Sequence, residues 1–156
     1  MNLNFFLREM THLRYFAPLV IEGNSRGFQS TFYVMPSNKY NCPVLHRLSL
    51  DRLCNKLNIV VKDANQIVDA TGIIFTSEES GIEFIKKNTT AKKVTLCYQT
   101  DYTVSYGNYV DIMDHIVMPS KSVAEFYELT SEKNLYTGIP KYDIDIDKEL
   151  VLQKYS

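Results

Sequence analysis

A small number of side chains have the types and positions that acid–base chemistry needs. His12 follows a short apolar segment near the N-terminus. Imidazole titrates near neutral pH, so His12 can serve as a general base or contact a phosphate. Asp101 lies close in sequence to Gln99 and to two tyrosines, Tyr102 and Tyr106. The hydroxyls and aromatic faces of the tyrosines suit a sugar-like ligand. Each has a simpler interpretation: His12 as a solvent-facing or helix-capping residue, and Asp101 as part of a surface loop. The sequence leaves both alternatives open.

Other ionisable residues favour structural roles. Glu78 and Glu79 can act as acid–base groups, but acidic residues also complement the positive end of a helix dipole, and here the second role is favoured. His46 and His115 fall on a predicted helix and a predicted strand, where packing is the better explanation. The candidate catalytic residues are therefore His12 and Asp101.

Several common site motifs are absent from the sequence. No Gly-x-Gly-x-x-Gly or Walker pattern occurs, which disfavours nicotinamide cofactors and P-loop chemistry. No Gly-x-Ser-x-Gly and no paired His/Cys ligand spacing occur, so hydrolase and metal sites lack support. We therefore expect neither a cofactor nor a bound metal.

The composition is that of one globular domain. The chain has 156 residues, 45% of them hydrophobic, and a net charge of −1, which does not favour nucleic-acid binding. Its three cysteines have no metal-like spacing, and an odd number of cysteines in apolar surroundings is typical of reduced, buried thiols. No apolar run approaches the roughly 20 residues of a membrane span, and no signal peptide is recognisable. We expect a cytoplasmic location.

Apolar segments with strand and helix patterns alternate along the chain. The pattern predicts helices over residues 12–24, 44–58, 77–87 and after Ser120, a short helix or turn over 63–70, and a loop over 99–109. Predicted strands cover residues 2–7, 30–35, 59–61, 72–76, 93–98, 115–118 and 134–136. We expect an α/β fold: a three-layer Rossmann-like domain with a mainly parallel sheet of about six or seven strands flanked by helices.

In such a sheet, ligands bind beyond the carboxyl ends of the strands, where the strand order reverses. The loops there would be residues 8–12, 36–41, 76–79, 99–106 and 137–143. Polar residues of these loops are the candidates for substrate binding: Glu9, Thr11, Ser77, Glu78, Gln99, Thr100 and Tyr102.

Three segments resemble the N-terminal half of a glycosyltransferase of the two-Rossmann-domain (GT-B) type. Residues 12–19, HLRYFAPL, look like the H-x-x-y-f-x-P-l opening of such domains. Residues 72–77 resemble the strand of such domains that leads into a helix. Residues 136–143, YTGIPKYD, are similar to the t-G-x-P-x-x-D segment that closes the first domain in CDP-glycerol glycerophosphotransferase-like enzymes. The resemblance spans nearly the whole chain.

This resemblance implies that residues 1–143 form an acceptor-side domain and that residues 144–156 are a linker and the start of a second domain. Its partners would be a nucleotide-sugar donor and a sugar or polyol acceptor, with most of the donor site in the second domain. His12 or Asp101 would remove the acceptor proton. No nucleic acid and no transmembrane segment are implied, and peripheral membrane association of a parent protein stays open. The interdomain residues would be Gly138, Pro140, Lys141 and Asp143.

Two departures from the GT-B pattern keep other functions open. Relatives often carry a His-Gly pair after the fifth strand, where this chain has Gln99-Thr100-Asp101. The second domain is also not recognisable in the sequence. A non-catalytic α/β binding or assembly domain is therefore an alternative, as is half of a nucleotide-sugar epimerase.

Overall fold

The computed structural model describes the backbone of residues 1–35, 44–98 and 102–138, and the side chains of these residues except 44–49 and 102–104. Within these ranges, seven strands and five helices alternate. The strands are β1 (Asn2–Leu7), β2 (Gln29–Val34), β3 (Val60–Asp63), β4 (Ile73–Ser77), β5 (Lys92–Leu96), β6 (His115–Met118) and β7 (Asn134–Tyr136). The helices are α1 (Leu13–Ser25), α2 (Val44–Leu57), α3 (Ile82–Ile85), α4 (Tyr102–Tyr109) and α5 (Lys121–Phe126), with 3-10 turns at Met10–His12 and Ala64–Asp69.

The seven strands form one sheet in the order β3-β2-β1-β4-β5-β6-β7, and every neighbouring pair is parallel. This confirms the predicted α/β fold with a parallel, Rossmann-like sheet flanked by helices. The direction of strand addition reverses at β1, which pairs with β2 on one side and with β4 on the other. The carboxyl ends of β1 and β4 are therefore neighbours at the reversal point.

Alternating strand residues supply a hydrophobic core on each face of the sheet. Phe5 lies on the face covered by α1 and α2, which we call the first face, and Phe6 lies on the second face, with the Ala64–Asp69 turn, α3, α4 and α5. On the first face the ring of Phe5 stacks on Phe75 with centroids 5.2 Å apart and meets Phe32 edge-on at 5.6 Å. These aromatic contacts join β2, β1 and β4 on the first face.

A buried amide fixes the segment that leads into β5. Asn88 donates from Nδ2 to the carbonyls of Ile67 and Ala70, at 2.9 and 2.8 Å. Its Oδ1 accepts from the backbone amides of Thr90, at 3.0 Å, and Ala91, at 2.8 Å. Buried backbone groups need hydrogen-bond partners inside the protein, because bulk water does not reach them. The side chain of Asn88 is that partner here.

Several local expectations are wrong in detail. The segment predicted as a loop contains the helix α4, Tyr102–Tyr109. The helix after β4 is shorter than predicted, because it begins after Gly81 and ends at Ile85. Thr11 lies in the 3-10 turn, and the N-cap position of α1 is His12. Ser120 caps α5, since its Oγ accepts from the Val123 amide at 3.2 Å.

Candidate functional site

The two loops at the strand reversal leave toward opposite faces of the sheet. The chain leaves β1 through residues 8–12 into α1 on the first face, whereas it leaves β4 through residues 78–81 into α3 on the second face. Such a divergence opens a crevice at the carboxyl edge of a parallel sheet. The candidate site is this edge, with one wall on each face.

His12 forms the wall on the first face. Its side chain is only 3% exposed, and its ring meets Phe16 edge-on with centroids 6.1 Å apart. Its backbone amide donates to the carbonyl of Glu9 at 3.1 Å, which closes the 3-10 turn beneath the carboxyl end of β1. Within the described part of the chain, no group hydrogen-bonds to its Nδ1.

Burial governs the ionisation of His12. It lowers the pKa from 6.5 to about 4, because the charged imidazolium loses its hydration. The Glu9 carboxylate opposes this shift in the pKa and the Arg8 guanidinium adds to it. His12 is therefore neutral near pH 7, and in this environment it is a hydrogen-bonding group and a weak base.

The polar residues before His12 stay at the surface. The Thr11 hydroxyl donates to Glu9 Oε2 at 3.3 Å, and both side chains are exposed. These two predicted substrate-binding residues thus lie together in the loop after β1 and are accessible to a ligand.

The turn after β4 has an unusual backbone. Glu78 has φ +50°, a left-handed conformation that costs an L-residue roughly 1–2 kcal/mol. The turn is fixed by hydrogen bonds, since Thr95 Oγ1 donates to the Glu78 carbonyl at 2.9 Å and Thr76 Oγ1 donates to the Ser80 carbonyl. Ser77, the last residue of β4, is buried. A non-glycine residue in such a conformation is often found at a functional site.

A charged cavity of about 260 Å³ forms the wall on the second face. Gly81, at the start of α3, has φ +74°, and a Cβ there would lie 2.5 Å from the Phe6 ring. Only glycine therefore fits, and the turn packs directly on β1. The cavity is lined by Phe6, Arg8, Met35, Glu79, Gly81, Ile82, Glu83, Lys86 and Asn108.

Beneath the edge, a buried thiol and a phenol contact one another on the second face. Cys97 Sγ lies 3.2 Å from Tyr109 Oη, and both side chains are fully buried. Burial raises the pKa of the Cys97 thiol to about 12 and raises that of Tyr109 as well. A thiol that stays protonated is a poor nucleophile, so this pair is structural.

The structure brings together some of the predicted site residues. Glu9, Thr11 and His12 follow β1, while Ser77 and Glu78 lie at the end of the neighbouring β4. Gly138, two residues after the end of β7, has φ +78°, a backbone conformation that glycine adopts readily. The side chain of Tyr102 lies outside the described part of the structure, as do Gln99, Thr100, Asp101, Pro140, Lys141 and Asp143.

Sequence reasoning missed the lining of the cavity. Arg8, Glu83, Lys86 and Asn108 were not predicted as site residues, although all four line it. One signal was available for Arg8, since it directly follows the first predicted strand. The others depend on how α3 and α4 pack on the sheet, which the sequence pattern did not reveal.

Metal-binding clusters, membrane-spanning helices and similarity to known proteins are three further sources of a functional assignment, and none of them supplies one. In residues 1–35, 44–98 and 102–138, no cluster of three or more His, Cys, Asp or Glu side chains could hold a metal ion. No helix in the same ranges combines the length and apolarity needed to cross a bilayer. No family model, curated protein or solved structure matches this chain.

Proposed function

We propose that this chain is the acceptor-side domain of a GT-B glycosyltransferase that transfers a sugar or polyol phosphate from a nucleotide-activated donor. The observation that carries the proposal is the strand reversal at β1, which sets the loop containing His12 beside the turn containing Glu78. Polar side chains converging at such an edge are typical of small-molecule sites in parallel sheets. The resemblance of residues 12–19 and 136–143 to GT-B motifs supports the reaction class.

In this proposal the reaction is a direct displacement. The acceptor hydroxyl attacks the electrophilic carbon or phosphorus of the donor, the bond to the nucleotide breaks, and His12 or Asp101 takes the hydroxyl proton. Exposed Glu9 and Thr11 can accept hydrogen bonds from acceptor hydroxyls. A nucleotide phosphate close to His12 would raise the pKa of its imidazole, because an anion stabilises the charged form. Donor binding would thereby strengthen the base.

Two measurements test the proposal. Acceptor binding is measured on residues 1–156 by ligand-observed NMR with glycerol 3-phosphate and methyl glycosides. Transfer is measured on the product of the complete reading frame, with CDP-glycerol and UDP-sugars as donors. We expect saturable acceptor binding and transfer that falls at least about a hundredfold in either His12→Asn or Asp101→Asn. The proposal is rejected if no donor is bound or turned over.

A second candidate, a non-catalytic α/β binding domain, is favoured by one observation. His12 is almost wholly buried and its pKa is about 4, which is far from the value that suits a general base at neutral pH. His12→Asn discriminates between the two functions, with Asp101→Asn as the companion variant. Unchanged turnover in both would remove the catalytic assignment and leave binding as the function.

A further inference from the structure

We propose that the charged cavity on the second face binds a small zwitterion, a molecule carrying both an ammonium group and a phosphate or carboxylate. The cavity measures about 260 Å³ and opens at the carboxyl edge of the sheet between the loop after β1, the turn after β4, α3 and α4. Its floor is apolar and includes Phe6 and Met35, whereas its rim carries charges of both signs.

Two cationic side chains come from different elements. Arg8 follows the last residue of β1, and Lys86 follows the last residue of α3. Both side chains are exposed. A guanidinium offers a planar set of donors for an oxyanion, and an ammonium adds a second charge. These two groups are the expected contacts of the anionic end of the ligand.

Two carboxylates share the same cavity. Glu79 comes from the turn after β4, and its Oε2 accepts from Asn108 Nδ2 at 2.8 Å, which fixes the carboxylate against α4. Glu83 projects from α3. Ion pairs between Lys86 and either carboxylate do not occur among the described side chains. These carboxylates can therefore accept hydrogen bonds from a ligand ammonium.

The mixture of charges decides the ligand class. An anion alone would approach Glu79 and Glu83 as well as the cations, and a cation alone would approach Arg8 and Lys86. A zwitterion pairs with both sets and leaves no like charges facing each other. The support is rigid, because the close contact of Gly81 with Phe6 fixes the turn that carries Glu79. Such preorganisation reduces the entropy lost on binding.

This site goes beyond glycosyl transfer and does not depend on it. The binding requires no donor and no contribution from His12, so it can be tested when transfer is absent. Conversely, failure of zwitterion binding would not affect the assignment of the reaction.

The test is isothermal titration calorimetry on residues 1–156 at low ionic strength. Phosphoethanolamine is the zwitterionic probe, ethyl phosphate lacks the ammonium, and ethanolamine lacks the anion; β-alanine replaces the phosphate by a carboxylate. We expect phosphoethanolamine or β-alanine to bind at least about tenfold more tightly than either single-charge probe. Lys86→Gln and Glu83→Gln should each weaken that binding about tenfold. Lys87→Gln is the matched control, since Lys87 is exposed and does not line the cavity.

Two outcomes overturn the proposal. If neither zwitterion gives saturable binding, or if Gly81 and Ile82 amide resonances do not shift on titration, this cavity is not the site. If ethyl phosphate binds as tightly as phosphoethanolamine and Glu83→Gln has no effect, the cavity is a simple anion site. The substituted side chains are exposed, so each variant should keep the wild-type circular dichroism spectrum.

Discussion

The burial of His12 predicts a specific dependence of stability on pH. In the folded protein its pKa is about 4, whereas an unfolded chain should have the ordinary value of 6.5. As pH falls below 6.5, the unfolded state gains a proton that the folded state does not bind. The stabilising contribution of neutral His12 is therefore complete above the unfolded pKa and is lost as pH falls toward the folded pKa.

The size of this effect follows from the two pKa values. Between about pH 7.5 and about pH 4.5, His12 should lower the free energy of unfolding by about 2.5 kcal/mol. Carboxylates also titrate in this range, so the relevant quantity is the difference from a variant without an imidazole. His12→Phe is suitable, because a phenyl ring can pack against Phe16 and cannot titrate.

The assay is urea denaturation of the wild type and His12→Phe at both pH values. Wild type should lose about 2.5 kcal/mol more than the variant. His115→Gln is the control for the loss of an imidazole as such, because His115 lies on β6 and is only half-buried. Parallel losses in wild type and His12→Phe would show that burial of His12 does not set its ionisation, and the reasoning would fail.

Other consequences of the structure can be tested in the same protein. Glu78→Gly should raise the free energy of unfolding by up to about 1 kcal/mol, since glycine adopts the left-handed backbone without a Cβ clash; an unfolding midpoint at or below that of wild type would contradict this. Asn88→Ala should cost about 3 kcal/mol in urea denaturation, because the backbone amides of Thr90 and Ala91 lose their acceptor and the carbonyls of Ile67 and Ala70 each lose a donor. Cys97 should resist iodoacetamide in the native protein near pH 8 and react after unfolding, as peptide mapping would report.

The sheet could be predicted because its strands carry their own signal. Segments such as β1 and β6 are short, apolar and bounded by polar or turn residues, and they are buried within the sheet. Parallel strands alternating with helices permit few topologies, so the α/β fold followed from their sequence order. The strand order itself, with its reversal at β1, came from the structure.

Helix α4 could not be predicted because its support is tertiary. Its sequence, YTVSYGNY, contains β-branched residues and Gly107, all of which have low helix propensity. In the folded protein Tyr109 is fully buried against Cys97, and Tyr106 donates to Asn134 Oδ1 at 3.1 Å. These contacts with β5 and β7 outweigh the weak local preference. The cavity wall formed by Asn108 was missed for the same reason.

The environment of His12 was likewise not predictable from its neighbours in sequence. Thr11 and Arg14 are polar, and a surface or capping position was a reasonable interpretation. The 3-10 turn Met10–His12 instead directs the imidazole toward the first-face core beside Phe16. The place of His12 just after the first predicted strand correctly indicated that it lies at the edge of the sheet. Its pKa, however, is determined by its packing in the folded protein.

Arg8 connects the two walls of the candidate site electrostatically. It lines the cavity on the second face, and its positive charge lowers the pKa of His12 on the first face. A ligand anion that pairs with Arg8 should therefore raise the pKa of His12, and Arg8→Gln should raise it without ligand. NMR titration of the His12 ring measures both changes. Lys86→Gln is the control, because Lys86 lines the same cavity but is not among the charges acting on His12. If the pKa of His12 were the same in Arg8→Gln as in wild type, the two walls would be independent, and a ligand in the cavity could not change the ionisation of His12.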